Sequence, residues 1–262
     1  MNIIKRFFLY KLLNSFVKKN TSETMPLTGV LNDHISLKII IDGWFERREL
    51  DALKQFFLKN NYPTKLCLDV GANIGNHSLF FSTIFDQVVS FEPLLKTYKI
   101  LEINSLLVDN IKTFNFGISD EDKQMPAAVS EGNLGATKLV DFSEDFDETL
   151  NLKKLDSFLE EKKIYEVSYI KYDIEGHEIF ALRGSEQVIK NSSPIISLEL
   201  EMTKHYENCL EAIDYLKVCG YKSAYILKNS FSGGLPSNFK KLSIDDFLKI
   251  KKRRHKMVLF SK

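Results

Sequence analysis

No stretch of this 262-residue sequence stays apolar for the roughly 18 to 20 residues that crossing a bilayer takes, so no spanning helix is expected. Charge of one sign is also missing. The 36 Lys and Arg residues stand against 35 Asp and Glu, which removes the overall positive field of a nucleic-acid binder, and no nucleic-acid partner is expected. Cysteine is scarce: Cys67, Cys209 and Cys219 are odd in number, far apart and in no Cys-x-x-Cys pair. That pattern argues against a disulfide framework or a zinc knuckle and fits a reducing compartment. The stretch Met1 to Leu13 resembles a secretion signal, but Lys11 interrupts it and no small-residue cleavage site follows. The expected location is therefore the cytoplasm.

What is present is an ordinary globular composition, 44 % hydrophobic and 27 % charged, with enough chain for one large domain and appendages. Residues 1 to 20 hold five basic residues and no acid, with Ile4, Phe8, Leu9, Leu12, Leu13, Phe16 and Val17 at helical spacing. This reads as an amphipathic helix. Two roles stay open for its apolar stripe: packing on the main domain or on a second copy in a homodimer, or peripheral contact with the inner face of an anionic membrane. His34 to Asp42 alternates toward a strand, and Trp44 to Leu58 reads as a helix. We divide the chain into an extension over 1–60 and an α/β domain over 61–262.

From Lys65 the pattern alternates. Strands are expected at Lys65–Val70, Gln87–Phe91, Ile111–Ile118, Val167–Ile174, Pro194–Leu200, Lys222–Leu227 and Met257–Phe260. Helices fall between them at Asn76–Phe85, Leu94–Leu107, Leu152–Glu161, His177–Lys190, Glu207–Cys219 and Ile244–Lys251. The spacing implies a doubly wound sheet with right-handed crossovers. Residues 119–150 break the rhythm with nine acids against Lys123 and Lys138, and read as an inserted lid or hairpin. A basic run, Lys249 to Lys256, reads as a solvated connection before the last strand.

Four strands end at or near an acid: Asp69, Glu92, Asp173 and Glu199. In an open α/β sheet that rim is where ligands bind. After Asp69 comes Gly71-Ala72-Asn73-Ile74-Gly75, whose glycines clear the first turn for a ligand, and Pro93 holds Glu92 extended at the end of its strand, placed to accept ribose hydroxyls. A dinucleotide site would want the three-glycine pattern that lets the backbone touch a pyrophosphate; here Ala72-Asn73 stand where the second glycine should be. A phosphate-free nucleoside bearing a cation, such as S-adenosylmethionine, suits these carboxylates better, and a nucleotide-dependent oxidoreductase is disfavoured.

Asp69-Val-Gly-Ala-Asn-Ile-Gly75 with Ser78-Leu79, Phe91-Glu92-Pro93, Leu155-Asp156-Ser157, Lys171-Tyr-Asp-Ile-Glu-Gly-His-Glu178 and Pro194 to Glu199 together resemble the FkbM family of S-adenosylmethionine-dependent methyltransferases. The resemblance runs in order from about residue 43 to 201 and includes Gly43-Trp44-Phe45-Glu46, where Phe45 replaces the family's tyrosine. It implies a class I methyltransferase fold, Rossmann-like with a mostly parallel seven-stranded sheet, in 61–262, and O-methylation of a hydroxyl on a sugar or secondary metabolite. The implied cofactor contacts are Asp69, Gly71, Asn73, Gly75 and Glu92, with Ile118 and Ser119 near the adenine; Glu46, Ala72, Asn76, Pro93 and Asp173 are further cofactor-binding candidates.

A hydroxyl is a poor nucleophile near neutral pH, so a base is wanted; Asp173, Glu175 and Glu199 are the catalytic candidates, with His177 beside them. The alternative for Asp173 is to hold the cofactor's amino group, and for Glu175 to cap the helix that follows. No metal is expected to be required. The acceptor is expected to be a glycan sugar, its activated precursor or a small metabolite. The rival from another class is a non-catalytic nucleoside-binding scaffold.

Overall fold

The computed structural model describes residues 3–21, 25–30, 33–129, 137–140, 142–228, 238–250 and 254–262. Three helices come first: α1 (Ile3–Thr21), α2 (His34–Asp42) and α3 (Arg47–Asn60). The alternation then begins with β1 (Leu66–Val70), α4 (Asn76–Phe81), β2 (Gln87–Phe91), α5 (Leu95–Ser105) and β3 (Ile111–Phe114). Four shorter strands follow, β4 (Gly117–Ile118), β5 (Lys123–Ala128), β6 (Lys138–Leu139) and β7 (Glu148–Lys153). The chain continues through α6 (Leu155–Glu161), β8 (Tyr169–Tyr172), α7 (Glu178–Arg183), α8 (Glu186–Ser192), β9 (Ile195–Glu201) and α9 (Tyr206–Val218). It ends with β10 (Ser223–Leu227), β11 (Phe239–Ser243), α10 (Ile244–Leu248) and β12 (Arg254–Ser261).

Among the described residues the main sheet has eight strands in the order β11-β10-β12-β9-β8-β1-β2-β3. β3, β2, β1, β8 and β9 are parallel neighbours, while β12 runs against both β9 and β10. Side chains alternate between its faces because a strand repeats every two residues. Leu68, Ile170 and Ile196 pack into one apolar cluster with Leu182 and Ile213, whereas Cys67, Tyr169 and Ile195 pack into another with Phe57 and Phe81. Helices thus cover both faces, the doubly wound α/β architecture expected, with one strand more than the seven foreseen. The addition is β11, an edge strand whose Lys240 and Lys241 are exposed. Such an edge carries no apolar run to betray it.

Several boundaries differ from the sequence reading, each for a local reason. His34 to Asp42 is a helix because Asp33 caps it, its Oδ2 accepting from Ser36 N at 3.0 Å, and Gly43, at φ 84°, closes it by donating to Ile39 O. The third strand stops at Phe114; Gly117 and Ile118 join a second sheet, β4-β7-β5-β6, which is what the 119–150 segment builds instead of a simple hairpin. Leu152 lies in β7, so the next helix starts only at Leu155. The long helix expected after His177 divides at Gly184, where a Cβ would fall 1.9 Å from Ser119 O. Gly132 and Gly135, and Lys251 to Arg253 of the basic run, lie outside the described residues. α1 does not present a single stripe: Phe7, Phe8, Leu9, Tyr10, Leu12 and Leu13 are all exposed, while the side chains of Phe16 and Val17 lie outside the described ones.

Candidate active site

At the carboxyl ends of β1, β2, β8 and β9 lies a cleft of about 1060 Å³, bounded by α2 and the β4–β7 sheet as well. It is at the upper end of the usual size for a small-molecule site and holds room for two reactants. Its floor is the glycine turn. Gly71 takes φ 80°, and a Cβ there would meet Asp173 O at 2.0 Å, so the β1 and β8 ends approach as only glycine allows. Asn73, itself left-handed at φ 50°, donates its N–H to Glu92 Oε2 at 3.0 Å, and Leu94 N donates to Glu92 Oε1 at 2.9 Å. Glu92 is 7 % exposed, and burial pushes its carboxyl up from 4.5 to about 7 against those two amide bonds.

Beneath the cleft, β1 and β8 pair with Asp69 opposite Lys171. The Lys171 ammonium, buried, donates to Asp69 Oδ1 at 3.0 Å and to Gly71 O at 3.2 Å, and stands 3.3 Å from Asp173 Oδ2. Asp69 also accepts from Ser78 Oγ at 2.6 Å. Asp69 therefore does not reach the cleft; it acts through Lys171. Asp173 does line it. Burial opposes its charge, but Lys171 and a hydrogen bond with Glu199 hold its carboxyl low, while burial and the Asp173 charge push Glu199 up. Arg254 braces Glu199 with an Nε to Oε1 bond of 2.8 Å.

Glu175 enters the cleft from a left-handed residue, φ 52°, ahead of Gly176 at φ 96°. Burial first, then the Asp173 charge, raises its carboxyl. Glu178, instead of facing a ligand, folds that turn: its Oε1 accepts from Ile174 N at 3.2 Å and Gly176 N at 3.3 Å. Across the cleft, Glu46, left-handed at φ 58°, lies 3.1 Å from Lys256 Nζ and 3.6 Å from His77 Nε2. Burial raises Glu46 to about 7 and lowers His77 to about 4, so the imidazole is neutral near pH 7.

The cleft thus gathers Glu46, Gly71, Ala72, Asn73, Asn76, Glu92, Pro93, Ile118, Asp173, Glu175 and Glu199 from the sequence candidates. Three do not face it. Asp69 is fully buried; Gly75, at φ 92°, closes the turn by donating to Ala72 O; Ser119 Oγ pairs with His177 Nε2 at 2.9 Å. Asn76, though it borders the cleft, uses its amide on the Phe45 backbone, accepting from N at 3.0 Å and donating to O at 3.1 Å. It positions the Glu46 segment. Lys171, Arg254, Lys256 and His77 were missed as site residues. Arg254 and Lys256, expected in a solvated connection, are instead part of β12 and reach the cleft acids. Among the described residues, no group of three or more His, Cys, Asp or Glu is placed to hold a metal ion.

Comparison with known proteins gives the following. The sequence model of the family described as "Methyltransferase FkbM domain" matches residues 69–223. A curated relative, Hexuronic acid methyltransferase AglP of Haloferax volcanii, is 27 % identical over 151 residues, 57 % of this chain and 62 % of that protein. The chain therefore spans less than two thirds of that relative. Among solved structures, Methyltransferase FkbM from Methylobacillus flagellatus KT superimposes with a TM-score of 0.47 at 17 % identity, over 76 % of this chain and 43 % of the other. Precorrin-6y C5,15-methyltransferase from Geobacter metallireducens GS-15 gives 0.45 at 11 % identity, over 83 % and 87 %.

Proposed function

The chain belongs to the FkbM methyltransferase family, and on that premise we propose that it transfers a methyl group from S-adenosylmethionine to a hydroxyl of a glycan sugar or of its activated precursor. The observation that carries this reading is the meeting in one cleft of the glycine turn and Glu92 with Asp173, Glu175 and Glu199. The residues fit the donor. A carboxylate has about four lone-pair sites and Glu92 spends two on backbone amides, which leaves two for ribose hydroxyls. The bare Gly71 turn gives the nucleoside its approach, and the clustered acids suit a molecule with a sulfonium and an ammonium group. The relative named for a hexuronic acid supports a sugar as acceptor.

When bound, the donor supplies a methyl carbon activated by sulfonium: the acceptor oxygen bonds to that carbon as the carbon–sulfur bond breaks, and the sulfur keeps the electron pair. The chain's own residues do the rest. Asp173, kept ionised by Lys171, holds the donor's ammonium end. Glu175, whose carboxyl is raised by burial and by Asp173, takes the hydroxyl proton as the new bond forms. Ile118, Leu150 and Leu152 give the cleft an apolar wall.

Thermal unfolding with S-adenosylhomocysteine, with NAD and with neither tests the cofactor. At 100 times its dissociation constant a native-state ligand adds about 2.7 kcal/mol, so a rise with S-adenosylhomocysteine and none with NAD is expected. A response to NAD alone would end the methyltransferase reading. Glu175→Gln is expected to slow turnover by about 10² while leaving the affinity for S-adenosylhomocysteine unchanged; unchanged turnover would remove Glu175 as the base. Mass spectrometry of glycans from cells with and without the gene, looking for loss of one methylene mass, would identify the acceptor.

A further inference from the structure

α1 turns apolar side chains outward on every side. Phe7, Phe8, Leu9 and Tyr10 are consecutive, so at about 100° per residue they point in four directions, and they are 56 %, 72 %, 45 % and 64 % exposed. Folded proteins that stay monomeric in water rarely show so continuous an apolar surface unless it meets something. α2, against which α1 lies, extends the surface with Leu37, 52 % exposed. The charge on this surface selects the occupant. α1 carries Lys5, Arg6, Lys11, Lys18 and Lys19 and no acid. In a two-fold dimer the same patch meets itself, which would set Lys5, Arg6 and Lys11 against their own copies. An anionic bilayer offers the opposite: phosphate headgroups for the cations and acyl chains for the rings.

We propose that α1, with the adjoining edge of α2, is a docking surface for an anionic lipid membrane. The helix lies in the interface and does not cross it, since among the described residues no helix is long and apolar enough to span a membrane. Apolar residues all round suit a helix sunk to the level of the acyl boundary, with its long basic side chains reaching back to the headgroups. α2 is shared between this surface and the cleft, which its His34, Ile35, Lys38 and Ile41 help to line. Docking therefore brings the mouth of the cleft to the headgroup layer.

The full chain, sedimented with vesicles of phosphatidylcholine alone and with an equimolar mixture of phosphatidylcholine and phosphatidylglycerol, tests this. Binding is expected to the mixed vesicles only, and to weaken as salt is raised. Lys5→Glu with Arg6→Glu should lower the partition coefficient by about ten-fold or more, and Phe8→Ser with Leu12→Ser should lower it too. Both double variants change exposed residues, so the thermal midpoint and its response to S-adenosylhomocysteine should stay as in the parent chain. Those two readouts separate failure of docking from failure of the proposed activity. No binding to the mixed vesicles, or equal binding to both kinds, would overturn the proposal. So would a stable dimer in light scattering that Phe8→Ser with Leu12→Ser dissociates and that vesicles do not displace, which would make a second copy the occupant.

Discussion

Lys171→Met is expected to lower the unfolding free energy by about 3–5 kcal/mol, the cost of removing one partner from a buried ion pair. Total stabilities of folded domains are only about 5–15 kcal/mol, so the variant approaches the limit of folding. Asp69 is fully buried, and among the described residues its carboxylate is held by Lys171 Nζ and Ser78 Oγ; without the ammonium it keeps a neutral hydroxyl against a full charge. Gly71 O loses a donor and Asp173 loses its cation in the same step. With the Lys171 charge gone, the burial that opposes the Asp173 charge is left with less against it, and the Asp173 carboxyl rises in the folded state. A raised carboxyl binds more protons folded than unfolded, so the variant loses stability as pH rises and recovers part of it on acidification. Urea unfolding at neutral and at mildly acidic pH checks both statements. Asp69→Asn combined with Lys171→Met removes the stranded charge while keeping an acceptor for Ser78, and should regain part of the loss. A single-variant cost below about 1 kcal/mol would mean that water reaches Asp69, contrary to its burial.

The same pair marks how far the sequence could be read. Asp69 and Lys171 are 102 residues apart, and only the parallel register of β1 and β8, which sets Asp69 beside Lys171, reveals that one exists for the other. Strand ends are legible because an apolar run that stops on an acid is a local pattern, and that pattern puts Glu92, Asp173 and Glu199 on one rim from sequence alone. Gly71 was legible for a similar reason. The depth of Asp69, one residue before the strand leaves the sheet, was not, because burial at a strand end depends on what crosses beneath it. Arg254 and Lys256 were obscured by their neighbours: in a run of basic residues nothing local tells the ones that meet Glu199 and Glu46 from those facing water. α2 misled because its residues between Asp33 and Gly43 fit an alternating pattern over a few positions, and the cap at Asp33, which decides the matter, is a contact with Ser36 N. The β4–β7 sheet was hidden by its size, since β4 and β6 are two residues each and owe their pairing to β7 and β5.

Glu92→Gln is expected to weaken S-adenosylhomocysteine by about 10² or more, since a hydrogen bond to a charged group is worth about 1.5–3 kcal/mol and two ribose hydroxyls depend on this carboxylate in the proposed complex. The substitution is nearly the same size, but an amide has one acceptor oxygen, and Glu92 uses both of its oxygens to receive N–H groups from Asn73 and Leu94. One backbone amide would then face the –NH₂ of the introduced side chain, so the turn that forms the floor of the cleft loosens together with the ribose site. The pH dependence separates the charge from the shape. Burial raises the Glu92 carboxyl from 4.5 to about 7 in the folded chain. Its contribution to folding stability is therefore complete below the unfolded value and is lost as pH rises from about 4.5 toward 7. Glu46 and Glu178, each also raised to about 7 by burial, add in the same direction. Ligand affinity runs the opposite way, because hydroxyl donors prefer the ionised form: affinity should climb through about pH 6 to 8, and binding should expel a proton near about pH 6.5. Titration calorimetry in two buffers of different ionisation enthalpy measures that proton directly. The parent chain should release it and Glu92→Gln should not, and equal proton release from both would assign the titration to a different carboxyl in the cleft.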